Sequence, residues 1–490
     1  MGPRAPKLPV HQLVVLAICR VAEPVVLTSV LPYLPEMLED VGVPKSSLGK
    51  WVGLVTATTS CAQGVTAFFW GMLSDYWGRK PVILVGLTST MIFTILFGLS
   101  KSLTQVLTIR AILGLVNGNV GILRAMVAEM VPEPSLQPRA YSILPLVFTI
   151  GCILGPSIGG GLARPAERFP SIFDGPSEIW RNYPFLLPNL VAGGFFLTGI
   201  ITGFLFLQET LTARKASRDP GLILGNKLIY HFRRTTITQG DNGGEHEPLL
   251  GSRDTVTEGD SAMVAERPRW VEVFSSQSNL VLLLYALLGF HTMAFDTLLP
   301  VFLHLESQPL HANPEVRLPW KFSGGFGMNS QMIGTMSTCV GVFGFLLQML
   351  IFPPIAKRYG ILRCLWTASI IYPFLYLAVP FAIFLPPSLQ PGGVGLLMFI
   401  KLAATTFAFP CCTIQLTKSV GRLSALGTLN GVATSVSSFG RAIGPAVVGA
   451  TFSFGVQRGY IIITWWILAA FSTLSILCLR WISDEPKESL

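Results

Sequence analysis

Six charged side chains stand where charge is expensive. Arg20, Glu23, Arg110, Asp296, Lys401 and Arg441 each fall inside an apolar stretch long enough to cross a bilayer. At that depth a charge persists against a partner or a wet cavity, so each is a candidate for binding or proton work. Arg20 and Glu23 are three residues apart and share one helical face. Either they neutralise one another, or Glu23 faces a cavity where it takes up and releases a proton. Arg110 is either the structural partner of an acid on the first helix or a cavity residue. Asp296, Lys401 and Arg441 are the counterparts in the second half of the chain, one or two of them expected in salt bridges. With Arg124, five intramembrane bases meet Glu23, Glu129 and Asp296, an excess of two positive charges that favours an anionic or zwitterionic small molecule.

Other chemistries lack their residues. His291 and His304 lie on one apolar helix and read as hydrogen-bonded packing residues. The eight cysteines are scattered through apolar segments without C-x-x-C spacing, so no metal site or disulfide framework is expected. No phosphate-binding G-x-x-x-x-G-K-[ST] loop and no nucleophile–base constellation occurs, so neither an enzyme, a cofactor nor ATP drive is expected.

The elements that position these charges follow from composition. The 490 residues are 51% hydrophobic and 12% charged, against about 25% charged in soluble domains; the mean hydropathy is +0.57. Apolar runs place twelve spans at roughly 10–33, 48–70, 82–100, 103–130, 141–163, 184–208, 278–304, 326–352, 364–385, 394–417, 428–454 and 460–482. The expected fold is therefore all-α and membrane-embedded, as two six-helix bundles at 1–208 and 271–490 with a cytoplasmic connector at 209–270, largely disordered. A short amphipathic piece is expected within the connector at 222–234. The net charge of +9 reflects basic cytoplasmic loops, with no nucleic-acid partner; Arg79-Lys80 and Lys357-Arg358 set the orientation.

Three patterns organise the spans. Between spans 2 and 3, Gly71-Met72-Leu73-Ser74-Asp75-Tyr76-Trp77-Gly78-Arg79-Lys80-Pro81 reads G-x-L-x-D-x-x-G-R-K. Gly71 and Gly78 should allow close approach of two helices and a tight turn, and Asp75 should pair with Arg79 or meet the positive end of another helix. In span 5, Gly151-x-x-x-Gly155-Pro156-x-x-Gly159-Gly160 offers a small-residue face and a bend, and Gly440-x-x-x-Gly444-Pro445-x-x-x-Gly449 repeats it in span 11. Pro353-x-x-x-Lys357-Arg358-Tyr359-Gly360 is a worn copy of the first loop. These echoes mark parallel halves.

The first pattern resembles the signature loop between helices 2 and 3 of the major facilitator superfamily, where it latches the two halves of a transporter. The span 5 pattern resembles that family's motif for exchangers that trade substrate against protons, and Arg110-x-x-x-Gly114-x-x-x-Gly118 its buried-arginine helix, assigned to proton coupling. The resemblance covers nearly all the chain outside the connector. Gln208-Glu209-Thr210-Leu211 and 427–431 look like the zinc-induced facilitator-like branch, with drug:proton antiporters and fungal relatives. That branch moves metal-chelating zwitterions or potassium in plants. Two departures put metal-related transport in doubt: the N-terminal cysteine motif is missing, and Thr212 replaces an expected histidine. The resemblance implies a proton-coupled antiporter, expected as a monomer, with Asp75 latching onto the start of span 11 near Gly427. A broad multidrug exporter and a non-transporting nutrient sensor are the alternatives. Finally, Glu245-x-x-x-Leu249-Leu250 in the connector fits an acidic dileucine read by clathrin adaptors, which favours a vacuolar membrane, with the plasma membrane as the alternative.

Overall fold

The computed structural model describes residues 8–131, 133, 136, 140, 143–173, 178–211, 214, 218–237, 274–308, 316–419 and 426–483. Among them are twelve helices long and apolar enough to cross a membrane. In the first half they are α1 (Val10–Asp40), α2 (Lys45–Trp77), α3 (Arg79–Gly98), α4 (Leu103–Met130), α5 (Ile143–Leu162) and α6 (Leu186–Phe206). In the second half they are α7 (Ser276–His304), α8 (Ser330–Tyr359), α9 (Ile361–Phe384), α10 (Gln390–Lys418), α11 (Val432–Arg458) and α12 (Ile462–Leu479). A further helix, Pro220–Ile237, opens the connector where the amphipathic piece is expected. The dileucine residues Glu245, Leu249 and Leu250 lie outside the described residues.

The repeat seen in sequence returns as packing. In the first half α1 packs on α5 and α6, α2 on α4, and α3 on α6; in the second, α7 packs on α11 and α12, α8 on α10, and α9 on α12. The halves meet along two seams, α2 with α11 and α5 with α8. An operation that exchanges the halves turns one seam into the other.

Glycines make these seams close. A Cβ on Gly159 would fall 1.7 Å from the Ser29 carbonyl oxygen of α1, and one on Gly155 would fall 1.9 Å from Thr28 Oγ1. On the next face of α5, a Cβ on Gly160 would meet the Ser330 carbonyl and Gly334 of α8, at 2.5 and 2.7 Å. In α11, Gly440 and Gly444 press on α7, while Gly449 abuts the Gly49 carbonyl of α2 at 2.2 Å. Lipid offers no hydrophobic drive between helices, so such backbone approach supplies the van der Waals gain that holds them.

Three helices differ from expectation. α1 does not stop near residue 33 but runs to Asp40 through Pro32 and Pro35, carrying Glu36 and Glu39 with it. α4 is split: one piece ends at Val116, the next starts at Asn119, and Asn117 has ψ 78°. The Trp70 indole donates to the Leu115 carbonyl at 2.7 Å, satisfying a backbone group freed by the break. α8 passes through a π turn at Leu347–Ile351 just ahead of Pro353-Pro354, whose missing N–H groups disturb the ladder, then continues to Tyr359.

Candidate functional site

Successive spans alternate in direction, so the Arg79–Lys80 turn lies on one face, the basic-loop face, and α1, α5 and α7 end on the opposite, distal face. The signature turn has one hinge residue, Gly78, at φ 106°. Its counterpart Gly360 has φ 87° and the same ψ to within two degrees, 154° against 156°. Both positions need glycine because a side chain disfavours positive φ. Gly71 corrects the expectation: among the described residues nothing lies within 4 Å of a Cβ placed there, so it is not a close-approach glycine.

Arg79 and Lys80 are buried. The Arg79 guanidinium pairs with Asp75 at 2.6 Å and Glu129 at 2.9 Å and donates to Ser74 Oγ at 2.5 Å. Glu209, from the Q-E-T-L stretch, accepts from the backbone amides of Arg79 and Lys80 at 3.0 and 3.1 Å, capping the positive end of α3. Lys80 pairs with Asp219 at 2.6 Å, and Asp219 in turn accepts from Gly221 N at the start of the connector helix. The loop is thus moored within its own half, to α4, α6 and the connector. Asp75 takes the Arg79 option and is 64% exposed; the amides near Gly427 lie outside the described side chains.

The intramembrane charges resolve into different arrangements. Arg20 and Glu23 pair directly, and Asn117, at the break in α4, donates to Glu23 at 2.9 Å. Lys401 of α10 grips Asp296 of α7 through both carboxylate oxygens, at 2.6 and 2.7 Å. The lysine is buried and the aspartate 43% exposed. Arg124 crosses to the other half and donates to Thr434 of α11 at 2.7 Å, while Glu129 goes to the signature loop. Arg441 donates to Ser438 Oγ at 3.1 Å. Arg110 pairs with no acid among the described residues, because Glu23 is already held by Arg20 and Asn117. Its guanidinium instead lies over the Phe97 ring, 4.3 Å from the centroid. His291 bonds the Tyr376 hydroxyl at 2.8 Å, the packing role expected of it.

Between α1, α2, α4 and α7 is a narrow space of about 20 Å³, room for one water, with Arg110 in its wall. It is shut toward the distal face by a network that sequence reading missed. Glu36, buried at the end of α1, accepts from the backbone N and Oγ of Ser330, the first residue of α8, at 2.6 and 3.0 Å. Arg168 donates to the same Ser330 hydroxyl at 2.9 Å, and Arg164 binds Asp40 at 2.6 Å with Glu36 at 3.6 Å. His304 faces Glu39 at 3.3 Å, and Lys45 pairs with Glu306. Four of these links, from Glu36, Arg168, Glu39 and Lys45, join the two halves. The signal was present in the acidic run after Pro35 and in Asn329-Ser330, a good helix start, but Glu36 and Ser330 are 294 residues apart and pair only in three dimensions.

Two six-helix halves in pseudo-symmetric contact, charges and a broken helix at their interface, and a seal on one face define a membrane carrier. The chain matches the Major Facilitator Superfamily over residues 16–310. It is 36% identical to the "Major facilitator superfamily multidrug transporter mfsB" of Aspergillus fumigatus, over 98% of this chain and 84% of the relative. It is also 26% identical to the "Protein ZINC INDUCED FACILITATOR 1" of Arabidopsis thaliana, over 88% of this chain and 82% of that one. The fold is shared with the crystal structure of the human organic anion transporter MFSD10, at TM-score 0.59 and 19% identity, over 96% of this chain and 100% of that chain. The chain belongs to the major facilitator superfamily: it is a multi-pass membrane protein and a secondary transporter, not an enzyme.

Proposed function

We propose that this carrier is a proton-coupled antiporter that moves a small organic molecule, anionic or zwitterionic, by alternating access. The observation that carries the reading is one carboxylate on the first helix of each half held by a cation, Glu23 by Arg20 within α1 and Asp296 of α7 by Lys401 of α10. Protonating either carboxylate would leave its cation without a counter-charge at membrane depth, which is costly there. The cation must then move, and a protonated carboxylate can no longer pair with the cationic group of a zwitterionic substrate. Proton and substrate then compete for the two states of one interface, which is how a gradient biases alternating access. The G-P-x-x-G-G helix α5 supports the reading, since it contacts α1 within its own half and α8 across the seam. It is the element on which rocking of the halves must turn.

Proteoliposomes with and without a pH gradient test the proposal. Gradient-driven flux that is lost in Glu23→Gln, with substrate-for-substrate exchange retained, supports α1 as the coupling helix. Unchanged gradient dependence moves the role to Asp296, and flux indifferent to pH in wild type removes proton coupling. A non-transporting sensor would give no flux under any gradient.

A second reading, export of many drugs, is favoured by the names of relatives: the Aspergillus fumigatus multidrug transporter and the "Efflux pump azaK" of Aspergillus niger, 24% identical over 99% of this chain. Competition by chemically unrelated compounds at similar concentrations would favour it. We place the carrier in a vacuolar membrane through adaptor recognition of Glu245, Leu249 and Leu250, an acidic lumen there supplying the proton gradient. Replacing both leucines with alanine should send a tagged protein to the plasma membrane. A wild type already at the plasma membrane would make the motif inert.

A further inference from the structure

The geometry points to Arg110 as the anion-binding residue for a substrate with one carboxylate on a compact apolar body; the inference rests on the transporter reading and names its substrate class. Arg110 is 6% exposed, and its Nε has no hydrogen-bond acceptor among the described residues. The other intramembrane bases each have an oxygen partner: Glu23 for Arg20, Thr434 for Arg124, Asp296 for Lys401 and Ser438 for Arg441. Lys401 also lies over a ring, Phe295, but keeps its carboxylate; of the five, only Arg110 has a ring face and no oxygen acceptor among the described residues. A ring face attracts a cation, but it leaves the N–H edge of the guanidinium unsatisfied, and an unsatisfied buried charge persists where something else completes it.

The space beside Arg110 says what that is. Leu27, Leu31 and Leu34 of α1 and Met293 of α7 form an apolar wall, and Thr59 and Ser60 of α2 line the space with them. No acid lines it, so an amine has no counter-charge there. Guanidinium matches carboxylate through two parallel N–H···O bonds, a fit that an amide or alcohol cannot reproduce. As it stands the space measures about 20 Å³, room for one water, so the helices must part to admit a ligand, and a compact apolar body, a ring or short chain, asks the least of them. Met293 comes from the second half and the rest of the wall from the first, so a bound anion would touch both halves and bias their equilibrium.

The probe is 4-phenylbutyrate, with 4-phenylbutyramide and 4-phenylbutylamine as shape-matched neutral and cationic controls. Thermal unfolding of the purified full chain in detergent, without a pH gradient, measures binding. The acid should raise the transition temperature saturably at concentrations up to ~10 mM, where a millimolar site is filled, and the controls should not. Arg110→Gln should abolish the shift. Arg110→Lys, which keeps the charge and loses the fork, should weaken binding at least ~10-fold and serves if the glutamine variant does not fold. Equal shifts from acid and amide, wild-type binding in Arg110→Lys, or no shift with the acid overturn the inference. Arg110-dependent binding in a protein whose flux ignores pH would sink proton coupling while leaving this site standing. The reverse pattern, coupled flux without acid binding, would remove the site alone.

Discussion

Replacing Glu36 with glutamine should open the distal face. The carboxylate sits at the amino end of α8, where unpaired amides carry partial positive charge, and takes Ser330 N at 2.6 Å and Ser330 Oγ at 3.0 Å. Because α1 belongs to one half and α8 to the other, these bonds exist only while the distal face is closed. Glutamine keeps the shape and weakens each bond from charge-assisted to neutral, a loss of about 1 kcal/mol per bond. Losing the charge at the helix end removes about 0.5–1 kcal/mol more. The Arg164 contact, at 3.6 Å and partly exposed, adds little. The closed form should therefore lose about 2.5–3 kcal/mol relative to the open one, a shift of roughly 70- to 160-fold. If about 1% of wild type is open distally, roughly two-fifths to three-fifths of the variant should be. Spin labels at positions 101 and 320, on the distal ends of the two halves, in a cysteine-free chain would read this as a new long-distance population. Ser330→Ala, which keeps the amide but loses the hydroxyl's bonds to Glu36 and from Arg168, should shift the balance by less, about 1–2 kcal/mol. A folded Glu36→Gln protein with the wild-type distance distribution would refute the argument.

Three further outcomes follow from the same geometry. Gly159→Ala places a Cβ 1.7 Å from a carbonyl oxygen inside one half and should lower thermal stability by several degrees, whereas Gly160→Ala strikes α8 across the seam and should lengthen the distal distance; Gly161→Ala, with nothing within 4 Å, should change neither. Asp75→Asn removes one of the partners of Arg79 and leaves Glu129 and Ser74, so the protein should fold and reach its membrane with flux reduced; wild-type flux at equal abundance would take the latch out of the mechanism. The hydrogen bond from Lys45, then its charge, holds the Glu306 carboxyl below the usual carboxylate range. A carboxyl whose acidity is enhanced by closure stabilises the closed form above the ordinary carboxylate range and loses that effect as pH falls through its lowered value. Distal acidification to about pH 5 should therefore leave this pair intact, and Glu306→Gln should keep the wild-type pH profile of flux between about pH 5 and 8; a changed profile would show that the pair titrates there.

Much of the fold was legible because a bilayer imposes a one-dimensional rule. Each span must be apolar for about twenty residues, and the glycine–proline motif of α5 and its copy in α11 announced two halves before any packing was known. The connector helix and the special backbone of Gly78 and Gly360 were legible for a related reason, since amphipathic spacing and glycine chemistry are local. What local signals could not supply was partnership. Nothing near Arg110 in the chain says that Glu23 is taken by Arg20 and by Asn117 of a broken helix, or that Lys401 closes on Asp296 across 105 residues. In an all-apolar span there is no polar face to mark rotation, so which neighbour a charge meets depends on how helices are turned. Glu36 was missed for the complementary reason: the apolar run gives out near residue 33, yet α1 continues about two turns further and sets the Glu36 carboxylate on α8. The amino-acid sequence by itself determined the spans, the repeat and the places where charge enters the membrane. Only the tertiary structure decided which charges are spent on one another and which one, Arg110, is left facing the cavity, because pairing at membrane depth is set by distances between helices that no stretch of sequence contains.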